Sequence, residues 1–328
     1  MEPEAIIGRI LERHAGTCTP AEFHQAVNVT YHEFESEVYD RDHADMWQSL
    51  PAQFALLVDD WLSASPAPPA GLRLLDIGCG TGLATDCLLK TRLGAAIASV
   101  HLLDTSPSML QRATERSRQW NLSVTTQQGL LDSVPAGNRF DVIVTCSVMH
   151  HVPHLEPFLG CVRRLQADGG VFLHLQDPNG DFASDPELRR RTSQYSRRLF
   201  PGWVYRFTPR RFFGRIGREL TGQQGQDCVS KTNRALLGAG IIKTPLTVRE
   251  LFEITDIHVQ DESGVSITRM KAWLPDYDCL SQRSYGFMGE LASSLPPPWR
   301  KVEDDLIAAR ALNGLHIGAI WKLRPGAA

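Results

Sequence analysis

Leu72-Arg73-Leu74-Leu75-Asp76-Ile77-Gly78-Cys79-Gly80-Thr81-Gly82-Leu83 is the stretch that decides the fold of this chain of 328 residues. The apolar run 72–77 predicts a buried parallel strand, because it keeps no alternation of polar and apolar residues. Glycines follow at every second position, and residues 83–89 then have helical spacing. Glycine permits a tight turn and lets a ligand lie against bare backbone at the N-terminus of a helix. The stretch therefore predicts a ligand-binding turn between strand and helix.

The spacing of these glycines indicates the kind of ligand. A dinucleotide site has the pattern G-x-G-x-x-G, with a pyrophosphate at the helix N-terminus. Here the order is Asp76-x-Gly78-x-Gly80-x-Gly82, and an acid just before the first glycine suits a cationic group better than a pyrophosphate. The stretch resembles motif I of the class I methyltransferases that use S-adenosylmethionine (SAM), a cofactor with an ammonium and a sulfonium group. The same spacing disfavours a nicotinamide oxidoreductase.

Composition narrows the class of protein. The 34 Lys and Arg residues nearly balance the 37 Asp and Glu residues, so global charge favours neither nucleic acid nor membrane as a partner. No apolar run reaches the roughly 18 residues of a membrane span, and the acidic N-terminus lacks the pattern of a signal peptide. The 7 cysteines form no C-x-x-C pair, which predicts reduced thiols. We therefore expect a cytoplasmic protein without a membrane span.

Strands and helices alternate after the linker near residue 66, which predicts right-handed crossovers and a parallel sheet. Strands are predicted at 72–77, 97–104, 122–127, 140–146, 170–176, 278–287 and 315–323. Helices are predicted at 4–14, 20–28, 31–62, 231–242, 244–252 and 267–274. The resemblance implies an α/β fold with a Rossmann-like, seven-stranded, mostly parallel sheet, helices on both faces and an antiparallel last strand beside strand six.

We expect the chain to divide into four parts. These are an N-terminal helical cap (1–66), a SAM-binding Rossmann-like core (67–178), a mainly helical lid or substrate insertion after strand five (179–264) and the C-terminal part of the core with strands six and seven (265–328). In the cap, Tyr39 and His43 are four residues apart, which predicts that they lie on one helical face and line the pocket.

Asp104 closes the second strand, and an acid there can accept both hydroxyls of an adenosine ribose. The alternative is that Asp104 caps the helix that starts near Pro107. Where the resembled family usually has an aspartate that bonds the adenine amine, this chain has Leu130, so Asp132 or a backbone carbonyl would have to substitute. The other cofactor-binding residues that the resemblance implies are Asp76, Gly78, Cys79, Gly80, Gly82, Thr105, Met109, Leu131 and Cys146, with Tyr39 from the cap.

The candidate general bases are, in order, His151 and His150 after strand four, then Asp177 after strand five and His43 in the cap. A histidine with a pKa near neutrality suits deprotonation of a hydroxyl group, which favours O-methylation over N- or C-methylation. We predict no metal site at His150, His151 and His154. Adjacent histidines seldom point the same way, and no third ligand type stands at helical spacing.

The insertion is basic and aromatic. Its first half contains Arg189, Arg190, Arg191, Arg197, Arg198, Arg206, Arg210, Arg211, Arg215 and Arg218, with Tyr195, Phe200, Trp203, Tyr205, Phe207, Phe212 and Phe213 between them. A solvated helical face accounts for most of the arginines. One or two could hold a carboxylate or phosphate, and many together could bind nucleic acid or an acidic membrane surface. We favour a lid, because the insertion leaves from the predicted catalytic rim.

The predicted function is methyl transfer from SAM, with S-adenosylhomocysteine (SAH) as product, to a small organic acceptor that is anionic if the arginines hold it. Base assistance and in-line geometry are the protein's part of the reaction. The alternatives are an RNA methyltransferase that grips RNA with its insertion and a non-catalytic SAM-binding partner protein. Nucleic acid is disfavoured as a partner, and a homodimer is left open.

Overall fold

The computed structural model of the chain describes residues 3–14, 16, 18–64, 68–199, 223–260 and 264–326. Its strands are β1 Leu72–Ile77, β2 Ile97–Asp104, β3 Ser123–Gln128, β4 Phe140–Cys146, β5 Gln166–Pro178, β6 Tyr277–Tyr285 and β7 His316–Leu323. They form a seven-stranded sheet in the order β3-β2-β1-β4-β5-β7-β6. Strands β1 to β5 are parallel, and β7 is antiparallel to both β5 and β6. The predicted α/β architecture, including the inserted antiparallel strand, is confirmed.

The helices are α1 Pro3–His14, α2 Pro20–Glu35, α3 Tyr39–Asp42, α4 Ala44–Ala64, α5 Leu83–Leu89, α6 Pro107–Ser117, α7 Leu155–Leu165, α8 Pro186–Leu199, α9 Gln223–Gly238, α10 Val248–Thr255, α11 Ile257–Gln260, α12 Ile267–Trp273 and α13 Pro297–Ala308. Short 3-10 turns lie at Gly94–Ala96, Leu131–Ser133, Met149–His151, Gly180–Phe182 and Ala292–Ser294. Within the described ranges, no helix is both long and apolar enough to cross a lipid bilayer.

Helices cover both faces of the sheet, because the central strands are apolar on both sides. On one face, Leu74 and Leu173 belong to a core cluster that includes Phe54 of α4 and Leu88 of α5. On the opposite face, neighbouring strand residues belong to a second cluster with Leu159 of α7 and Met270 of α12; these strand residues are Leu75, Ile143, Phe172 and Trp321. Two buried faces explain why β1, β4 and β5 read as continuous apolar runs.

The predicted break in the cap near residues 29–30 is wrong, since α2 continues to Glu35. Its buried residues Phe23, Val27 and Tyr31 are spaced by four, so one continuous helix keeps them on one face. The helix begins with a capping box between Thr19 and Glu22. The chain instead bends after α2, and α3 is a single turn before the long helix α4. In the insertion, α9 ends at Gly238 rather than at the predicted 242, because the Gly238-Ala239-Gly240 segment disfavours helix continuation.

The cap and the insertion pack against each other. Buried side chains of α1 and α2 share a third apolar cluster with side chains of α9 and α10, among them Ile7, Phe23, Cys228 and Leu251. An ion pair joins Arg13 of α1 to Glu250 of α10, and His14 Nε2 lies 3.3 Å from the same carboxylate. This packing brings two segments that are distant in sequence to the carboxyl-terminal edge of the sheet.

Candidate functional site

A cavity of about 520 Å³ opens at the carboxyl ends of β1, β2 and β4, beneath helix α2. Its volume lies within the range typical of small-molecule sites. The sheet side supplies Gly80, Asp104 and Met109, while the cap supplies His32 and Tyr39. No described residue of the lining is a lysine or an arginine. The cavity therefore lies where open α/β sheets bind ligands, at the ends of the strands beside the first crossover.

The glycine turn has left-handed backbone at each of its glycines. The φ angles are +61° for Gly78, +53° for Gly80 and +92° for Gly82. A Cβ added to Gly78 would lie 2.7 Å from Cγ2 of Val148, whereas a Cβ added to Gly80 would meet no atom within 4 Å. Gly78 is therefore needed for close packing against the segment after β4. Gly80 presents bare backbone to the cavity, as the sequence predicts.

Asp104 joins the end of β2 to the glycine turn. Its Oδ2 accepts a hydrogen bond from the Gly80 N–H at 2.8 Å, and its Oδ1 accepts one from the Ser106 N–H at 2.9 Å. Burial raises the pKa of this carboxyl group. The residue that caps α6 is Ser106, whose Oγ accepts from the Met109 N–H at 3.1 Å. Asp104 is thus not the cap, and each of its oxygens retains a lone pair for a ligand hydroxyl.

Asp76 is fully buried, and its two carboxylate oxygens have different surroundings. Oδ2 accepts hydrogen bonds from the Thr85 hydroxyl at 2.7 Å and the Thr85 N–H at 3.2 Å. Oδ1 has no hydrogen-bond partner among the described residues. Burial raises the pKa of this carboxyl group to about 7. A buried oxygen without a donor is costly, so a donor or cation brought by a ligand would be favourable here.

Most of the predicted cofactor residues meet at this cavity. Its described lining includes Gly78, Gly80, Asp104, Thr105, Met109, Leu130, Leu131, Cys146 and Tyr39. It does not include Asp76, Cys79 or Gly82. Leu130 is 46% exposed beside Gly129, which has a φ of +151°, and Asp132 also reaches the lining. At the end of β3 the cavity thus has an exposed apolar side chain and a nearby carboxylate.

Two histidines and two aspartates form a polar cluster at the end of β4. The His150 and His151 rings lie 4.0 Å apart between centroids, and His151 lines the cavity. The His150 Nδ1–H donates to Asp177 Oδ1 at 2.9 Å, and the His150 backbone N–H donates to the same oxygen at 3.1 Å. Asp177 is fully buried, and burial raises its pKa to about 6. Three of the four predicted base candidates thus meet in one place.

The fourth member of this cluster, Asp256, comes from the insertion. It follows α10, and its Oδ1 lies 3.3 Å from His151 Nδ1 and 3.8 Å from His150 Nε2. The preceding residue, Thr255, accepts a hydrogen bond from His151 Nδ1–H through its backbone carbonyl at 2.6 Å. The sequence reasoning did not single out Asp256. Nothing in the local sequence indicates it, because the contact depends on how the insertion packs.

His43 lies apart from that cluster. It is buried, and its Nε2 lies 3.3 Å from Oε1 of Glu35, whose Oε2 lies 2.8 Å from His32 Nδ1. Although burial opposes ionisation, hydrogen bonds from His32 and His43 hold the pKa of Glu35 well below its usual value. The predicted common face of Tyr39 and His43 is present, since their rings lie 4.4 Å apart between centroids and the His43 N–H donates to the Tyr39 carbonyl at 2.9 Å. Tyr39 lines the cavity, whereas His43 does not.

His32 and His24 line the cavity from α2 and were not predicted as site residues. The His32 ring is edge-on to the His151 ring, with 5.0 Å between centroids. Burial lowers the pKa of His24 to about 4, and its Nε2 accepts a hydrogen bond from Asn28 Nδ2 at 3.0 Å. The sequence shows that the two histidines are eight residues apart. It does not predict that one continuous helix, α2, holds both of them over the cavity.

The described arginines of the insertion do not reach the cavity lining. On α8, Arg190 pairs with Glu187 at 2.6 Å, and buried Arg191 donates to the Asn313 carbonyl at 2.8 Å. The Arg198 guanidinium lies over the Trp299 ring. The following predicted lid residues lie outside the described residues: Phe200, Trp203, Tyr205, Arg206, Phe207, Arg210, Arg211, Phe212, Phe213, Arg215 and Arg218.

Comparison with known protein sequences shows a similarity in the core. A family model described as "Methyltransferase domain" matches residues 75–172. The chain is 35% identical over 122 residues to a ubiquinone biosynthesis O-methyltransferase of Cereibacter sphaeroides (strain ATCC 17029), a match that covers 37% of this chain and 47% of that protein. It is 34% identical over 113 residues to the protein of the same name from Brucella ovis, covering 33% and 42%. The chain thus spans about half the length of the curated relatives it matches.

Among solved structures, the plantazolicin methyltransferase BpumL in complex with SAH is similar at 11% identity and a TM-score of 0.45, covering 97% of this chain and 99% of that one. An S-adenosylmethionine-dependent methyltransferase from Clostridium acetobutylicum is similar at 12% identity and a TM-score of 0.42, covering 83% and 92%. The glycine turn, Asp104 and the histidine pair all lie within the matched residues. Residues 75–172 of the chain are thus similar to a methyltransferase domain.

Proposed function

We propose that the chain is an enzyme that transfers a methyl group from SAM to a small organic acceptor, with a hydroxyl oxygen favoured over nitrogen or carbon. The main support for this proposal is the glycine turn. There the backbone N–H of Gly80 donates a hydrogen bond to Asp104, and both residues line the cavity. The partial similarity to proteins named O-methyltransferases supports the choice of oxygen.

The residues present fit SAM as a cofactor. The backbone of Gly80 leaves space for a ligand, and the oxygens of Asp104 can accept the hydroxyls of a ribose. Asp76 lies outside the lining, so its buried carboxyl group would favour the cationic groups of SAM through its charge and not by direct contact. Met109 and Leu130 would supply apolar contacts to the adenine ring. When bound, SAM supplies an electrophilic methyl group on its sulfonium.

The chain's own residues would align the acceptor, exclude water and receive a proton. Helix α2 lies over the cavity through His24, Asn28 and His32, so it would cover the bound molecules. His151 lines the cavity, and His150 and Asp177 are hydrogen-bonded beside it. We therefore assign proton removal to this histidine–aspartate cluster as a unit, and a base held in place in this way suits a hydroxyl acceptor.

The lining also bears on the acceptor. Its described residues are largely apolar around Ile7, Val29 and Phe158, and include no lysine or arginine. We propose an acceptor with an apolar body whose reacting hydroxyl meets the histidine cluster.

The cap and the insertion are proposed to act together as the covering layer of this site. The four-part division at residues 66, 178 and 264 remains a proposal of organisation. Its support is the shared apolar cluster of α1, α2, α9 and α10 and the ion pair between Glu250 and Arg13 of α1.

The proposal is tested by titrating the purified full chain with SAH and with NADH, and by following methyl transfer from isotopically labelled SAM to a panel of phenols, carboxylic acids and amines. Tight SAH binding with transfer to a phenol is the expected result. Transfer to RNA, with binding that weakens steeply with salt, would instead indicate the RNA methyltransferase. SAH binding without transfer to any acceptor class would favour a partner protein, and size-exclusion chromatography of the same sample would reveal a homodimer.

A further inference from the structure

We propose that His150, His151 and Asp256 bind a divalent transition-metal ion at the wall of the cavity. One potential ligand atom from each residue lies within 4.8 Å of the other two. The prediction of no metal rested on the tendency of adjacent histidines to point apart and on the lack of a third ligand type at helical spacing. The packing of the insertion instead places the Asp256 carboxylate beside both imidazoles.

The distances suit a shared cation. Oδ1 of Asp256 lies 3.3 Å from His151 Nδ1 and 3.8 Å from His150 Nε2. Ligand atoms about 2.0–2.2 Å from a tetrahedral Zn²⁺ lie roughly 3.3–3.5 Å from one another, so small side-chain movements would complete the geometry. Two imidazoles and one carboxylate suit Zn²⁺, Fe²⁺ or Mn²⁺ better than Mg²⁺ or Ca²⁺, which prefer oxygen ligands.

The surroundings are those of a metal-binding histidine. Nδ1–H of His150 donates to Asp177 Oδ1 at 2.9 Å, and Asp177 is fully buried. This hydrogen bond sets the tautomer of His150 and leaves the lone pair on Nε2, the nitrogen that faces Asp256. Carboxylates in this position orient metal-binding histidines and increase their basicity. In the metal-bound form, His151 would carry its proton on Nε2 and would lose its hydrogen bond to the Thr255 carbonyl.

The position of this site at the cavity wall suggests a role for the cation in the reaction. His151 lines the cavity, so a cation beside it could take an acceptor oxygen as an additional ligand. A cation lowers the pKa of a bound hydroxyl group and orients it, which is the task assigned above to the cluster. This use rests on the proposed function, whereas binding of the cation itself does not.

The test uses the full chain, freed of metals with a chelator, and titrates it with ZnCl₂, MnCl₂ and MgCl₂ by calorimetry. Metal content after gel filtration is measured by mass spectrometry. We expect about one equivalent of Zn²⁺ in the wild type, and much weaker binding of Mg²⁺. His150→Ala and Asp256→Ala should lose the bound metal. Asp177→Asn, which changes only the supporting carboxylate, should weaken Zn²⁺ binding roughly 10- to 100-fold.

Two control variants separate this site from general metal binding by surface groups. His154→Ala removes an exposed histidine bonded to Glu4, and Asp132→Ala removes an acid at the other end of the cavity. Both variants should still bind about one equivalent of Zn²⁺, like the wild type. If Asp256→Ala does not fold, judged by circular dichroism, Asp256→Asn keeps the side-chain shape and should still weaken Zn²⁺ binding.

SAH titrations of the same samples keep the two proposals distinguishable. A wild type that binds SAH but no cation would overturn the metal site and leave the proposed function intact. A wild type that binds Zn²⁺ but not SAH would overturn the proposed function and leave the metal site intact. Equal Zn²⁺ affinity in the wild type and in Asp256→Ala would also refute the site.

Discussion

Replacing Gly80 by alanine tests whether the backbone of the glycine turn faces a bound ligand. Gly80 has a φ of +53°, and a Cβ at this position would have no atom within 4 Å. The added methyl group therefore clashes with no protein atom. Because Gly80 lines the cavity, we expect the methyl group to occupy space that the proposed cofactor needs.

Two effects of this substitution can be separated. An L-residue in the left-handed region costs roughly 1–2 kcal/mol, which lowers the free energy of unfolding. A methyl group forced into a closely packed contact costs about 1–3 kcal/mol more, and this second cost exists only when a ligand is bound. At about 1.4 kcal/mol per tenfold change, the Kd for SAH should rise roughly 5- to 140-fold.

Gly169 provides a matched control. It lies in β5, has a φ of +69°, and a Cβ there would also meet no atom within 4 Å, but it does not line the cavity. Gly169→Ala should therefore lose similar stability and bind SAH like the wild type. Calorimetric titration gives the Kd for SAH, and urea denaturation gives the free energy of unfolding. Equal SAH affinities in the two variants would show that the Gly80 backbone does not contact the ligand, and the proposed function would lose its main support.

Three further substitutions test other parts of the site. Asp104→Ala should raise the Kd for SAH at least tenfold, since each hydrogen bond to a charged group contributes about 1.5–3 kcal/mol, and calorimetry checks this with Glu115→Ala, an exposed acid of α6 outside the lining, as control. His151→Ala should lower turnover by roughly 10²–10⁴ while SAH affinity stays within about twofold, and a loss of affinity equal to the loss of turnover would refute its role in proton removal. Burial raises the pKa of Asp76 in the folded chain to about 7, above its unfolded value of 3.8, so the stability it contributes is complete below that unfolded value and is lost as pH rises through about 7. Urea unfolding of the unliganded chain gives the free energy of unfolding at pH 5 and at pH 8. From pH 5 to pH 8 this free energy should fall by roughly 2–3 kcal/mol more in the wild type than in Asp76→Asn. Equal losses in both proteins would mean that Asp76 does not titrate in this range.

The sheet and its first ligand-binding turn could be predicted because their signals are local. A strand buried on both faces is a short apolar run, and a turn that needs left-handed backbone is marked by glycine, as at Gly78 and Gly80. The position of Asp104 followed from the same reasoning, since strand ends of a parallel sheet meet at one edge. Each of these inferences uses neighbouring residues and the geometry of one fold class.

The helical parts were harder to predict, because helix ends depend on tertiary packing as well as on local propensity. Asn28, Val29 and Thr30 are weak helix formers, yet α2 continues through them since Phe23, Val27 and Tyr31 share one buried face. Tyr39 and His43 share one face as their spacing predicts, with 4.4 Å between ring centroids, but only Tyr39 reaches the cavity. His43 contacts Glu35 instead, because the packing of α2 places that carboxylate beside it.

The sequence by itself determined the fold class, the strand–glycine–helix turn and the acids at the ends of β1 and β2. Only the tertiary structure decided which side chains stand opposite that turn. The Thr255 carbonyl accepts a hydrogen bond from His151 across 104 positions of sequence, and Asp256 reaches the same histidine pair through that packing. The physical reason is that such contacts depend on apolar burial between the cap and the insertion, which leaves no periodic pattern around the polar residues that it brings together.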